Sequence, residues 1–363
     1  MNAFGLAFNC VSILFMSILF MQTTVLLLAL IFKKKPATRI GTSYKLDLVI
    51  PATDINVLSS SLEKWKGNSH INRIFVVCPT DFPESERITV VKDGKNGLAL
   101  AVNAAMRFVT TEFAVLADED NYFPDDCVSE MMSYFADSSV VGVSPRLRPY
   151  GRSTSFMHRA IESERTLAEK YYQPFACKLG FGTFTGKGIL RVSAFRELGG
   201  FRNERLTEDI DYSVRALLRG YRFVNSLSEG YELYPNSFKS LVKQRVRWAY
   251  GWFQVAFENV VHPKSLGVTG CLIFALLSPL MALMMPMLLL SVFLPISIVP
   301  TLIGIGISAY YLVVPLCGSK DVRVVLLLQL LGAIAIYAMF LRPKRFEITQ
   351  KAVSPFKPFT ASS

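Results

Sequence analysis

The chain has 363 residues, of which 51% are apolar, and a formal net charge of +11 at pH 7. This apolar content, with a mean hydropathy of +0.35, excludes an ordinary water-soluble domain. The positive charge fits anionic lipid headgroups, and because no aromatic RNA-binding pattern accompanies it, nucleic acid is not an expected partner.

The first apolar run covers residues 11–32, which carry no charge. A helix of this length extends about 33 Å, enough to cross the hydrocarbon core of a bilayer. The alternative, a cleaved signal peptide, needs a basic segment before a shorter apolar core, but residues 1–9 are uncharged. The sequence therefore predicts a membrane span. Lys33, Lys34 and Lys35 directly after it place the following domain in the cytoplasm and the N-terminus outside.

Two further apolar runs lie near the other end of the chain. Residues 266–318 contain no charged residue and are divided by prolines into two predicted spans, and residues 324–341 are long enough for a third. Three later spans would leave the basic tail outside, against the usual preference of basic residues for the cytoplasmic side. The alternative that one of these later segments lies in the interface or re-enters the membrane therefore stays open. The predicted domains are an N-terminal span with its basic flank (1–43), a cytoplasmic domain (44–262), C-terminal transmembrane or interfacial helices (263–341) and a basic tail (342–363).

The cysteines and histidines give no sign of a metal centre or a disulfide framework. The six cysteines form no CxxC pair, and the three histidines are scattered along the chain. Reduced thiols are also what a cytoplasmic domain is expected to contain.

Between the apolar ends of the chain, short apolar strands alternate with helical stretches. The strand-like stretches are 45–52, 73–79, 87–93 and 113–118, and the helical stretches are 56–65 and 97–109. This alternation predicts an α/β domain with a parallel sheet and helices on both faces. Because ligands of such sheets lie outside the carboxyl ends of the strands, polar residues that follow strands are the candidates for a site.

The last of these strand-like stretches runs into three carboxylates, Asp118, Glu119 and Asp120. Carboxylates this close repel one another unless solvent or a cation relieves the repulsion. Hard oxygen ligands suit Mg²⁺ or Mn²⁺, which retain waters and bind a substrate diphosphate as well. The structural alternative is a solvated acidic turn before Pro124.

A second acidic group stands at a predicted helix start behind Thr207 and consists of Glu208, Asp209 and Asp211. Considered alone, it favours a structural interpretation, because threonine is a good N-cap and acids suit the positive end of the helix dipole. The preceding stretch, 181–201, is rich in glycine and leads into a strand, GILRV, but it matches no phosphate-loop spacing.

The stretch 241–260 is basic and aromatic, and it places Gln244, Arg247 and Trp248 on one helical face. An amide, a guanidinium and an indole together suit a sugar phosphate, because arginine binds the anion and tryptophan stacks on the apolar face of a pyranose. The alternative is an amphipathic helix that lies on the membrane, and the two interpretations are compatible.

In their chain order these stretches resemble the membrane-bound family-2 glycosyltransferases of the GT-A fold, which include cellulose, chitin, hyaluronan and poly-N-acetylglucosamine synthases. TED followed 35 residues later by QxxRW is a specific combination, whereas DxD alone is not. The resemblance covers nearly the whole cytoplasmic domain and the flanking spans. The stretches that carry it are VIPAT, NGLALAVNAA, LADEDNYFPDD, FTGKGILRVSAFRELGGF, LTEDIDYSVRALLRGYRF and QRVRW.

The resemblance implies a role for each residue that matches a family motif. Asp118 and Asp120 match the DxD pair, which binds the divalent metal, Mg²⁺ or Mn²⁺, and the nucleotide diphosphate. Asp209 matches the aspartate of TED, the general base for the acceptor hydroxyl. The QxxRW motif contacts the donor diphosphate and the acceptor sugar, and its counterparts here are Gln244, Arg247 and Trp248. The further residues expected to bind donor or acceptor are Pro51, Ala52, Asp54, Lys95, Asn96, Asn103 and Glu208.

The resemblance thus implies an inverting, metal-assisted enzyme of the cell membrane with a GT-A (Rossmann-like) nucleotide-sugar domain. It would move a sugar from a nucleotide-diphosphate sugar, expected to be UDP-linked, to a growing polysaccharide. Two alternatives stay open: transfer of a single sugar to a lipid such as a polyprenyl phosphate or a ceramide-like acceptor, and a decayed domain without activity, against which the intact motifs argue. The residues after the second strand, 78–81, depart from the acids that family members carry there and leave the nucleotide base unassigned.

Overall fold

The computed structural model describes residues 44–92, 97–150, 155–169, 173–178, 180 and 182–259. The three apolar runs and the basic tail lie outside these residues, so the predicted spans stay predictions. Among the helices of the described part of the chain, none is both long and apolar enough to cross a membrane. What is described falls within the predicted cytoplasmic domain.

Seven strands form one sheet in the order β3-β2-β1-β4-β6-β5-β7. The strands are β1 (Leu46–Pro51), β2 (Ile71–Cys78), β3 (Ile88–Lys92), β4 (Phe113–Leu116), β5 (Val140–Pro149), β6 (Gly188–Arg191) and β7 (Arg222–Glu232). The four strand-like stretches of the N-terminal half and the later GILRV stretch all became strands, so these predictions are confirmed.

Eight α-helices connect or flank the strands in the described part of the chain. They are α1 (Ile55–Gly67), α2 (Leu98–Met106), α3 (Asp125–Ser133), α4 (Phe156–Leu167), α5 (Gln173–Lys178), α6 (Val192–Glu197), α7 (Glu208–Leu217) and α8 (Phe238–Asn259). A short 3-10 turn, Tyr134–Ala136, follows α3. The predicted helices at 56–65 and 97–109 correspond to α1 and α2.

The sheet is mixed, which corrects the prediction of a parallel sheet. Strands β3, β2, β1 and β4 are parallel to one another, but β6 runs antiparallel to both β4 and β5. Leu116 at the end of β4 is the register partner of Gly188 at the start of β6. The start of β6 therefore meets the carboxyl end of β4, where the acidic residues follow.

Helices cover both faces of the sheet, as predicted. Buried residues of α2, α6, α7 and α8 pack on one face, and those of α1 and α3 pack on the other. The central strands β1 and β4 are buried at every position, which is expected of strands covered on both sides. This packing fixes the carboxyl ends of the strands as the open edge at which the polar side chains gather.

Candidate active site

Two side chains of helix α1 hold the loop after β4 in place through hydrogen bonds. The indole nitrogen of Trp65 donates a hydrogen bond to the carbonyl oxygen of Asn121 (2.8 Å), and the hydroxyl of Ser61 donates to that of Glu119 (2.6 Å). The side-chain oxygen of Asn121 in turn accepts from the backbone N–H of Asp118 (2.9 Å). Because Trp65 and Ser61 are fully buried, the core of the domain sets the position of the acidic loop.

The three carboxylates of this loop point to different partners. Asp120 is fully buried, and one of its oxygens accepts the backbone N–H of Leu233 (2.9 Å). Glu119 accepts from the backbone and hydroxyl of Thr53. Asp118 is part exposed and lies 3.0 Å from the ammonium nitrogen of Lys187. Of the two predicted metal ligands, Asp118 is therefore the more open to a ligand and Asp120 is built into the fold.

Lys187 stands directly before β6 and is a site residue that the sequence analysis did not identify. Its ammonium also lies 3.6 Å from a carboxylate oxygen of Glu232, which in turn pairs with Arg165. Burial alone lowers the pKa of Lys187, but the carboxylates of Asp118, Glu232 and Asp120 outweigh it and raise the pKa above its usual range. The ammonium is therefore a permanent positive charge at the end of β4.

The acids of α7 differ sharply in their surroundings. Glu208 and Asp211 are buried, whereas Asp209 is half-buried. Asp211 is 2.8 Å from the guanidinium of Arg215, so it is a structural acid. Thr207 occupies the N-cap position, as the sequence indicated, although its hydroxyl makes no capping hydrogen bond.

Asp209 faces the glycine-rich loop. A Cβ atom added to Gly186 would lie 3.2 Å from a carboxylate oxygen of Asp209, and the positive φ of Gly186 (79°) is one that other residues rarely adopt. Burial raises the pKa of Asp209, although its own helix backbone, Arg247 and Lys187 oppose the shift. Burial, reinforced by the charge of Asp209, raises the pKa of Glu208 to about 8. A raised pKa suits a carboxylate that must accept a proton.

Helix α8 brings the QxxRW residues to the same place. Arg247 donates to the carbonyl oxygen of Leu206 (3.1 Å), directly before the TED stretch. Burial lowers the pKa of Arg247, while Glu208, Asp209 and Asp118 oppose that shift. The guanidinium thus lies within electrostatic reach of both acidic groups.

Gln244 and Trp248 line a small cavity with Lys187 and Glu232, and the cavity measures about 30 Å³. Gln244 accepts a hydrogen bond from Arg245 (2.9 Å), whose guanidinium lies 4.4 Å from the ring centroid of Trp248. Trp248 remains 36% exposed. Gln244 and Trp248 thus line this cavity, and Arg247 contacts the chain directly before α7. The donor and acceptor contacts expected of all three residues stay predictions.

The remaining predicted residues have mainly backbone or capping contacts. Pro51 ends β1 and Ala52 follows it, where the Ala52 N–H donates to the carbonyl oxygen of Val77 (2.8 Å). Asp54 caps α1 by accepting from the N–H groups of Asn56 and Val57.

Asn103 holds the backbone of Phe201 through both ends of its amide (2.7 and 2.9 Å). Lys95 and Asn96 lie outside the described residues. Roles of any of these residues in donor or acceptor binding stay predictions.

The donor set fits a divalent cation that is shared with a substrate. In the described ranges, no group of three or more His, Cys, Asp or Glu side chains is placed to hold a metal ion. Asp118 nevertheless offers a hard, part-exposed oxygen, and Mg²⁺ is usually held by one or two carboxylates together with substrate phosphates. An ion bound with a diphosphate therefore fits this edge, and one enclosed by protein side chains alone does not.

Comparisons with known proteins agree with this arrangement. The family model described as Glycosyl transferase family group 2 matches residues 114–336. The chain is 27% identical over 241 residues to the probable glucomannan 4-beta-mannosyltransferase 14 of Arabidopsis thaliana, which covers 61% of this chain and 43% of that protein. It is 28% identical over 175 residues to the poly-beta-1,6-N-acetyl-D-glucosamine synthase of Staphylococcus aureus (strain COL), which covers 45% of this chain and 40% of the synthase.

Among solved structures, the mannosyltransferase PcManGT from Pyrobaculum calidifontis, in complex with GDP-Man and Mn²⁺, superimposes with a TM-score of 0.61. The sequence identity is 16%, and the match covers 92% of this chain and 99% of that one. This likeness shows the GT-A-like fold. The chain spans less than half the length of the curated relatives described above.

Proposed function

Because the chain belongs to glycosyl transferase family group 2, and is thus a glycosyltransferase, we propose that it transfers a sugar from a nucleotide-diphosphate sugar to a growing polysaccharide with inversion. The observation that carries the proposal is the meeting of two acidic groups at one edge of the sheet. Asp118 pairs with Lys187, Asp209 faces the neighbouring Gly186, and Arg247 lies within electrostatic reach of both acids.

In the proposed reaction, an acceptor hydroxyl attacks the anomeric carbon of the donor sugar. The hydroxyl proton passes to the carboxylate of Asp209 as the new C–O bond forms. The bond between the anomeric carbon and the diphosphate oxygen breaks on the opposite face, and the nucleoside diphosphate leaves with the electron pair. Inversion follows from a single displacement, since no protein nucleophile intervenes.

Charge neutralisation at the leaving diphosphate is the second requirement. A divalent cation, Mg²⁺ or Mn²⁺, would be held by Asp118 and would neutralise the leaving group when bound. Arg247 supplies a fixed guanidinium on the same side, suited to phosphate oxygens. Trp248, exposed at the edge of the cavity, suits stacking on the acceptor sugar.

The identity of the donor and the membrane setting form part of the proposal. Our sequence-based expectation is a UDP-sugar, and the relative of known structure was solved with GDP-Man, so both nucleotides belong in the test. The apolar runs at both ends of the chain support an integral membrane protein with the catalytic domain in the cytoplasm. The proposed polysaccharide acceptor follows the names of the curated relatives, a glucomannan mannosyltransferase and a poly-N-acetylglucosamine synthase.

Incubation of the purified full chain with radiolabelled UDP-glucose, UDP-N-acetylglucosamine and GDP-mannose tests the proposal. We expect one donor to give labelled product that lengthens under donor excess, and excess EDTA to abolish the transfer until Mg²⁺ or Mn²⁺ is restored. A product that never exceeds one sugar and extracts with lipid would establish the single-transfer alternative instead. No transfer from any donor, with or without metal, would contradict the proposed function.

A further inference from the structure

Lys187 lies beside Asp118, the proposed ligand of the divalent cation. Its ammonium nitrogen lies 3.0 Å from Asp118 and 3.6 Å from Glu232. The side chain is 20% exposed and forms part of the lining of the cavity shared with Gln244 and Trp248. Lys187 is therefore a charged group of the site itself, not a surface lysine.

Glu232 is already neutralised without Lys187, because it pairs with the half-buried Arg165. At Asp118 the ammonium of Lys187 forms a close ion pair, with its nitrogen 3.0 Å from a carboxylate oxygen. A divalent cation on the same oxygen would stand within a few ångströms of the ammonium, and two cations at that distance repel strongly where water is scarce. The ammonium and the metal therefore compete for Asp118.

The lysine side chain suits a group that changes partners. It is a compact point charge on a flexible four-carbon stem, whereas a bidentate arginine would be fixed in one geometry. The donor diphosphate that accompanies the metal brings anionic oxygens to this edge. The ammonium that leaves Asp118 would find its new counter-ion there.

We propose that Lys187 is an exchangeable counter-ion of the donor site: it neutralises Asp118 when no donor is present, yields this carboxylate to the divalent cation, and then binds the donor diphosphate. The proposal rests on the proposed function, since it assumes a nucleotide-diphosphate donor. It assigns to Lys187 two effects of opposite sign. The residue weakens binding of metal alone and strengthens binding of the diphosphate.

The experiment measures Mn²⁺ binding to the purified full chain by electron paramagnetic resonance, first without nucleotide. Lys187→Met removes the charge and keeps most of the unbranched side chain, Lys187→Gln is a second neutral variant with a polar head, and Lys187→Arg keeps the charge. We expect both neutral variants to bind Mn²⁺ at least tenfold more tightly than wild type, and Lys187→Arg to resemble wild type. The matched control is Lys66→Met, which removes a lysine that pairs with a carboxylate on the exposed surface of α1.

The second measurement is the binding of UDP and of GDP by calorimetry at saturating Mn²⁺. We expect the neutral variants to bind the nucleoside diphosphate that wild type prefers at least tenfold more weakly, and Lys66→Met to bind it normally. Unchanged binding of metal and nucleotide, or weaker binding of both, would identify Lys187 as a structural ion-pair partner and overturn the proposal. Tighter metal binding with unchanged nucleotide binding would overturn it as well, because the ammonium would have no second partner.

Failure of this proposal is distinguishable from failure of the proposed function. Sugar transfer by wild type is measured separately, and the measurement with metal alone uses neither sugar nor nucleotide. An active wild-type enzyme whose neutral Lys187 variants bind Mn²⁺ normally would contradict the counter-ion role alone.

Discussion

Asp209 is the single residue on which the proposed chemistry depends most. It is half-buried beside the glycine-rich loop, and its raised pKa suits a base. We expect Asp209→Asn to fold and to bind metal and nucleotide, but to transfer sugar about 10²–10⁴-fold more slowly, the usual cost of losing a general base. Initial rates with the preferred donor measure this. Glu208→Gln is the matched neighbour, and equal loss in both variants would mean that Asp209 has no special role.

Glu208 provides a prediction about pH and stability. Its pKa is about 8 in the folded protein against an ordinary 4.5, so the folded state holds a proton that the unfolded state releases. The free energy of unfolding should therefore fall as pH rises from about 4.5 to about 8. At about 1.4 kcal/mol for each pKa unit, the effect amounts to at most a few kcal/mol.

The neutral variant Glu208→Gln lacks this titrating group. We expect its unfolding temperature to match that of wild type near pH 5 and to exceed it at pH 8, as measured by thermal unfolding of both proteins in the same detergent. Parallel curves at all pH values would show that Glu208 titrates normally.

Asp211 is the acid of the α7 start that is tied most closely to the fold. Its carboxylate is buried among the guanidinium groups of Arg202, Arg205 and Arg215. We expect Asp211→Asn to lower the free energy of unfolding by about 3–5 kcal/mol, the usual cost of removing one partner of a buried ion pair. Urea denaturation measures this. A loss below about 0.5 kcal/mol would mean that solvent screens the cluster.

At the scale of elements, the contact between α8 and the start of α7 determines where Arg247 lies relative to Glu208 and Asp209. Gly251 of α8 faces Thr207 so closely that an added Cβ would lie 2.5 Å from two of its side-chain atoms. We expect Gly251→Ala to push the helices apart, to cost about 1–3 kcal/mol in stability, and to lower activity by displacing Arg247. Gly67→Ala, at a position with no atom within 4 Å of the added methyl, is the control. Full activity in Gly251→Ala would show that the helices adjust without cost.

Individual strands and the acidic motifs were predictable from the sequence, because apolar periodicity and closely spaced acids are local signals. The position of Lys187 was not. A lysine before a strand is visible in FTGKGILRV, but its meeting with Asp118 depends on β6 running antiparallel to β4, and strand direction is not a local property. Glu232 at the end of β7 was missed for the same reason: it reaches the site only because β7 pairs with β5.

At the scale of the whole molecule, the orientation across the membrane stays a prediction from the lysines at 33–35. We expect a cysteine introduced at the exposed Ser69 to resist an impermeant thiol reagent in intact cells and to react after lysis. Cys78, Cys127 and Cys177 of the domain are buried, so we expect little background labelling from them. The other three thiols are removed by carrying out the experiment in a variant that lacks Cys10, Cys271 and Cys317. Labelling of Ser69→Cys in intact cells would reverse the predicted orientation.

Two neighbouring residues of the loop before β6 contact the proposed base, Asp209, and the proposed metal ligand, Asp118. Gly186 lies against the carboxylate of Asp209, and Lys187 pairs with Asp118. Consecutive Cα atoms are about 3.8 Å apart, so a single peptide unit separates the backbone at the proton acceptor from the backbone at the departing charge. The backbone beside the proposed base and the backbone that carries the counter-ion of Asp118 are thus covalently joined, so a substitution that shifts one of these two positions is expected to shift the other as well.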